Sequence, residues 1–298
     1  METYAFSNAN KFMKKLTLNF VFISAVIGIL MLGAQTLAAE APGNNHIVVP
    51  LADPSRPAQV SAHLLNGSIT VKAYDGKEVI VDAKTREGDE EEESDRERRP
   101  SGGLHRIPIA STGLSIEAEG NHVRVGTDSV RRNIDLVLTV PVHTSLSLKS
   151  VNNGHISVTG VDGELDVNDV NGDVDLNHIS GSAVAHALNG HVLVTFVRVD
   201  PQKPMSFSSL NGEIDVTFPA DLKATVSMRT DNGEVYSDFD IQLQAINPQP
   251  SVEDGRGRGG RFVVRVEKTV KGTINGGGQD IQFKNFNGNI YIRKAGGK

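Results

Sequence analysis

Three side chains spaced eighteen apart, His155, Asp173 and His191, make the first chemical suggestion. If one wrap of the chain takes eighteen residues, they occupy the same place on successive wraps, where stacked strands lie about 4.8 Å apart. Two imidazoles and a carboxylate at that reach suit zinc or iron. The competing reading is an ion-pair ladder on an exposed face, its members offsetting one another's charge. The stretch Asp169-Val170-Asn171-Gly172-Asp173-Val174-Asp175 raises a calcium site of the nonapeptide-repeat kind. That site needs three glycines per unit for its ligand-bearing turn, and one is present here. The aspartates are therefore expected on outward strand positions, as a solvated carboxylate face.

Two further sets of residues invite chemistry. Glu164, Asp166 and Asp175 are acidic and expected outward. Polysaccharide-cleaving β-helices use clustered carboxylates of this kind, paired for acid–base work, but nothing in the spacing forces a pair here. No GxSxG, HExxH, phosphate-loop or dinucleotide motif occurs, so no enzyme and no cofactor are expected. Arg256, Arg258 and Arg261 lie in Gly255-Arg256-Gly257-Arg258-Gly259-Gly260-Arg261. They are candidates to grip a polyanion such as a lipid phosphate or an acidic glycan. The alternative is a loop whose arginines pair with Glu253 and Asp254.

The elements that must position these residues are set by a comb of glycines. From Val151 to Thr195 the chain repeats every nine residues, five times, as VNNGHISVT, GVDGELDVN, DVNGDVDLN, HISGSAVAH and ALNGHVLVT. Gly154, Gly163, Gly172, Gly181 and Gly190 mark the comb. Residues two and four after each glycine are apolar and the ones between are mostly polar, the period of a strand with one buried face. The residues two before the glycine, Asn152, Val161, Val170, Ile179 and Leu188, fall in the same inward phase. That alternation also turns the glycine inward, and the phase breaks near Thr159-Gly160, Asn168-Asp169 and Asn177-His178.

Asn153, Asn171 and Asn189 precede every second glycine, so one coil reads as two nine-residue strands. The expected fold is all-β, a parallel β-solenoid of short stacked strands. The alternative is an antiparallel β-meander, since Asn-Gly also marks hairpins. Looser copies occur at Leu65-Asn66-Gly67, Leu210-Asn211-Gly212, Asp231-Asn232-Gly233 and Phe286-Asn287-Gly288. An insertion near Asp200–Pro204 breaks the comb, and insertions in such ladders map to corner loops. Residues 87–103 read as a charged loop and 247–261 as a Gly/Arg loop. A solenoid also leaves two open strand edges, which makes self-association through its ends an expectation.

Bulk composition bounds the compartment. The 298 residues carry a net charge of −6, with no cysteine and no tryptophan. An acidic chain is a poor general binder of nucleic acid. Lys11, Lys14 and Lys15 precede an apolar run to Leu32 and then Ala34-Gln35-Thr36-Leu37-Ala38-Ala39, the order of a cleaved secretory signal. Residues 1–39 are thus expected to be a signal peptide, with Met13 an alternative start, and 44–298 a single β-repeat domain. Without cysteine the exported protein is neither a disulfide scaffold nor a lipoprotein, and no transmembrane segment is expected after cleavage.

The Asn-Gly-x-Ile/Val-x-Val units resemble the bacterial DUF4097 family of adhesin-like proteins. The resemblance extends to Gly67-Ser68-Ile69-Thr70-Val71 with Tyr74-Asp75-Gly76, to Val140-Pro141, and to the closing Phe286–Lys294 segment. It runs from about Asn45 to the end. Tyr74 stands where that family usually has tryptophan, and the charged loop is a departure. The resemblance implies an exported envelope protein, periplasmic or on the cell surface, without catalytic residues. Its expected partner is an envelope glycan or protein surface.

Overall fold

The computed structural model describes residues 44–86, 113–127, 132–152, 154–244, 251–254, 262–265 and 269–296. All lie in one compact unit, Pro42–Lys298. Every regular element among them is a β-strand. None of the described residues forms a helix long and apolar enough to cross a membrane.

The central coils are parallel. Asp162–Asp169 pairs with Val174–Asn189, setting Gly163 opposite Gly181 and Leu165 opposite Ala183. Val174 lies opposite Ile156 on one side and Val192 on the other. Each of these steps is eighteen residues, so one coil is two nine-residue strands. This is the solenoid, and parallel pairing removes the meander for this stretch. The strands form two ladders. The first carries the strand before each Asn-Gly corner and the second carries the strand after it. At the opposite corner the phase slips where the sequence breaks: Gly160 has φ +77°, His178 has φ +51°, and the register shifts between Leu176 and Ile179.

The stacking order is not the order of the chain. In the first ladder, Ala58–Asn66 sits between His122–Thr127 and Thr144–Asn152. In the second, Ile69–Tyr74 sits between Ile134–Pro141 and Ile156–Thr159. The far end mirrors this. Gln279–Asn287 is held between Met205–Asn211 and Ala224–Asn232, and Ile290–Lys294 between Ile214–Phe218 and Val235–Ser237. The first and last coils are thus threaded one place inside the stack, so both are paired on two sides instead of fraying.

Antiparallel strands then cover the ends. Leu114–Glu119 and the pair Asn44–Pro50 with Glu78–Thr85 close one end. Val270–Ile274 with Ile241–Leu243 closes the first ladder at the other. The open edges expected from the repeat are therefore largely blunted. Among the described residues, the parallel strand that still ends a ladder is Val235–Ser237.

The core is the inward row of each ladder. Ile156, Val158, Val174, Leu176, Val192 and Val194 are buried from the second ladder, and Leu146, Leu148, Leu165, Val167, Ala183 and Ala185 from the first. Toward the C-terminal end larger side chains take over. Phe207 stacks on Phe283 and Phe196 on Phe218, with ring centroids 5.5 and 5.3 Å apart. Each buried phenylalanine contributes about 1.5–3 kcal/mol relative to exposure.

Three expectations are corrected. Within 247–261, Ser251–Asp254 is a strand, paired antiparallel with Phe262–Arg265. The residues two before the glycine do not share one environment. Val161 and Ile179 are fully buried, Val170 and Leu188 are half-exposed and Asn152 is exposed, because alternate units turn different corners. Finally, Asp169 is not outward. It follows Leu165 and Val167 on the inward row and is fully buried.

Candidate functional site

The Asn-Gly corner is a column of backbone contacts. A Cβ on Gly172 would lie 1.8 Å from the carbonyl oxygen of Gly154, and one on Gly190 would lie 2.0 Å from that of Gly172. Gly212, Gly288 and Gly233 continue the column in the same way. Glycine is required here because successive coils touch backbone to backbone. Gly163 and Gly181 form a shorter column of the same kind just past the opposite corner, where a Cβ on Gly181 would meet the Gly163 carbonyl at 2.2 Å.

Beside the first column runs an asparagine ladder. The Asn171 amide donates to Asn152, Asn189 to Asn171, Asn211 to Asn189, Asn287 to Asn211 and Asn232 to Asn287, at 2.7–3.0 Å. Asn171 and Asn189 hold the stacked positions expected of them. At the first coil the rung is Asn152. Asn153 lies outside the described residues.

Inside the corner, a row of side chains donates to the glycine carbonyls of the neighbouring coil. Ser150 donates to Gly67, Ser209 to Gly190, Asn285 to Gly212 and Thr230 to Gly288, at 2.8–3.1 Å. Asp169 occupies the same row, paired in register with Ser150 and Ala187. Its carboxyl and the Gly154 carbonyl crowd the same space beside Gly172, yet neither carboxyl oxygen has a hydrogen-bond partner. The nearby amides of Val170 and Asn171 are committed to Ser150 and Val151. Burial pushes the Asp169 carboxyl up to about 6, with Asp173 adding to the rise and the Asn171 amide and His155 opposing it. An ionised carboxylate only accepts, so only the protonated form can donate as its row-mates do.

Outside the corner, His155, Asp173 and His191 are stacked on successive coils as their spacing implies. They are not gathered into a site. Asp173 accepts from the backbone N–H of His191 at 2.7 Å, and His191 Nδ1 accepts from the N–H of Glu213 at 3.0 Å. Asn289 accepts from Glu234 in the same manner. The column caps backbone amides of the next coil. No group of three His, Cys, Asp or Glu among the described residues is placed to hold a metal ion.

The outward carboxylates each have other partners. Glu164 pairs with Lys203 at 2.9 Å, Asp166 accepts from Asn168 and Asp175 from Asn177. Arg256, Arg258 and Arg261 lie outside the described residues.

The opposite corner is irregular, and there a cleft of about 390 Å³ opens. Its walls are Val197–Val199 with Pro201 on one side and Pro219 with Asp221–Lys223 on the other, with Gln279 among the lining residues. Asp200 shapes the first wall by accepting from the N–H of Gln202, and Asn275 pins the second by donating to Leu222 at 2.7 Å. A Cβ on Gly278 would lie 2.3 Å from the Lys223 carbonyl, so glycine lets the next residue reach in under the turn. That residue, Gln279, is 9% exposed, and neither its amide nitrogen nor its amide oxygen has a partner. Arg198 on the rim forks onto both oxygens of Asp162, at 2.8 and 3.0 Å.

A second depression, about 260 Å³, lies among Ser61, Arg124 and Ser147 on the first ladder. It falls below the usual size of a small-molecule site, about 300–1,000 Å³, and the first cleft falls within it. Sequence reasoning misses Gln279 and places Asp169 outward. The available signal was a polar residue in an inward phase, Gln279 ahead of Ile281 and Phe283, and Asp169 after Leu165 and Val167.

No curated protein matches the chain. A crystal structure from Clostridium sporogenes, provisionally named a cell adhesion protein, is 8% identical with a TM-score of 0.41, over 85% of this chain and 100% of that one. Another from Bacteroides fragilis, provisionally named an adhesin, is 12% identical with a TM-score of 0.34, over 85% and 98%. The model of the Toastrack family, DUF4097, matches residues 142–293, half of the chain and both kinds of corner. The chain belongs to the Toastrack DUF4097 family.

Proposed function

We propose that the mature chain is a non-catalytic, adhesin-like binding or structural module of the bacterial envelope, exported by residues 1–39. The observation that carries this reading is the repetition of outward-facing side chains in register, half-buried or exposed. Ser157, Asp175, Leu193, Asp215, Tyr291 and Tyr236 form one row across the outer face of the second ladder. A row repeating at about 4.8 Å lets many weak contacts add along one extended partner. On that face Asp215 accepts from Arg293 at 2.7 Å and Asp175 from Asn177 at 2.8 Å, so neighbours hold both carboxylates in place.

The test is retention of the purified mature chain on envelope fractions against cytosolic extract. Selective retention without release of reducing sugar is expected. No retention, or hydrolysis of an envelope polysaccharide, would overturn the reading. One observation favours self-association as a second reading. Val235 and Tyr236 are exposed on the strand that ends the second ladder, and Tyr236 stacks on Tyr291 with its far side unpaired among the described residues. Light scattering that rises with concentration, and is abolished by Tyr236→Lys, is its signature.

A further inference from the structure

The cleft at the irregular corner has the features of a built site. Its wall residues come from the two places where the repeat slips, the Asp200–Pro204 insertion and the Pro219–Lys223 turn. Gln279 is buried beneath them with both N–H donors of its amide nitrogen and its amide oxygen unpaired. A buried amide left unpaired costs stability, so its polar ends are matched from outside the chain, by water or by a ligand that displaces it.

The chemistry of that partner follows from the groups present. A phosphate or carboxylate offers acceptors only and would leave the Gln279 oxygen unmatched. Arg198 is already spent on Asp162, and Asp221 and Lys223 on the rim offset each other, so no net positive charge is left to hold an anion. Adjacent hydroxyls on a sugar ring each donate and accept, which matches both ends of the amide. Val197, Pro201, Pro219 and Leu222 supply apolar walls for the ring's C–H faces. Lys223, with no ion pair among the described residues, adds a donor at the rim. We propose that this cleft binds one pyranose unit of an envelope glycan, with the Gln279 amide pairing two neighbouring hydroxyls.

The site rests on the proposed envelope-binding role and gives it a place and a ligand class. The test titrates the mature chain with cellobiose, chitobiose and digalacturonic acid, by saturation-transfer NMR and calorimetry. At least one disaccharide should bind saturably. Gln279→Leu removes both amide ends at similar volume. It should weaken that binding at least tenfold while holding or raising Tm, because it deletes two unpaired buried atoms. Val197→Asp, on a side chain 58% exposed, leaves the fold intact and should also weaken binding at least tenfold.

Failure of all three sugars to bind, retained affinity in both variants, or a lowered Tm for Gln279→Leu would overturn the site. If wild type still partitions to envelope fractions in that case, the proposed function stands and only this site fails. If retention is lost as well, both fail.

Discussion

Each coil turns two corners, and the two are made differently. At the Asn-Gly corner the coils touch through glycine carbonyls, an asparagine ladder ties the outside, and an inner row of donors caps the same carbonyls. At the opposite corner the register slips, turns of unequal length are inserted, and a cleft forms over an unpaired glutamine. Constraint falls on the first corner because every coil must repeat it. The second is free to vary because its loops project from the stack. On the proposed reading, a solenoid of this kind separates the work of holding the stack from the work of meeting a ligand.

The sharpest break of that division is Gly172→Ala. Its Cβ would enter the Gly154 carbonyl, and the coils would have to part. A loss of about 3 kcal/mol or more is expected by denaturant unfolding. Gly126→Ala, where a Cβ meets nothing within 4 Å, should stay within about 0.5 kcal/mol.

Next comes Asp169, the one acid in the row of donors named above. Its native carboxyl titrates near 6 against 3.8 for an ordinary aspartate, so between those values the folded state holds more protons than the unfolded one. Its contribution is fully present below about pH 4 and is lost as pH rises through about 6. The loss amounts to about 3 kcal/mol. Asp169→Asn supplies a permanent donor, as Asn285 does for Gly212 at 2.8 Å. It should stabilise by about 2–3 kcal/mol at pH 7.5, have little effect at pH 4, and flatten the pH dependence of Tm in between. A variant less stable at pH 7.5 would mean that the ionised form has a partner.

Smaller effects follow. Asn189→Ala interrupts the ladder between Asn171 and Asn211 and should cost about 1 kcal/mol, read as a shift of the urea midpoint at constant slope. Pro201→Ala at the variable corner should change stability by less than about 0.5 kcal/mol.

Much of this was legible in the residues. The asparagines at eighteen gave the coil length, and the breaks at Gly160 and His178 marked the second corner. The alternation also identified most of the core. The exceptions have physical reasons. A comb of nine superposes two corners that differ in burial, so Val170 and Val161 looked alike and Asp169 was assigned to the surface. Stacking order was hidden because Ala58–Asn66 finds Thr144–Asn152 across the chain, and such a pairing is set by packing rather than by local period. The spacing of His155, Asp173 and His191 foretold their stacking but not their contacts, because Asp173 and His191 each accept from a backbone amide of the next coil. Gln279 was hidden because a single polar residue after three glycines reads as loop.

The central claim is that ligand contact runs from the outer row of the second ladder into the variable corner and spares the Asn-Gly corner. Hydrogen–deuterium exchange of the mature chain, with and without purified envelope polysaccharide, tests it directly. The account predicts new protection at 197–201 and 219–223, with no change at 170–173, 188–191 and 210–213. Protection confined to the Asn-Gly segments, or none anywhere on a chain that binds the polysaccharide, would contradict it.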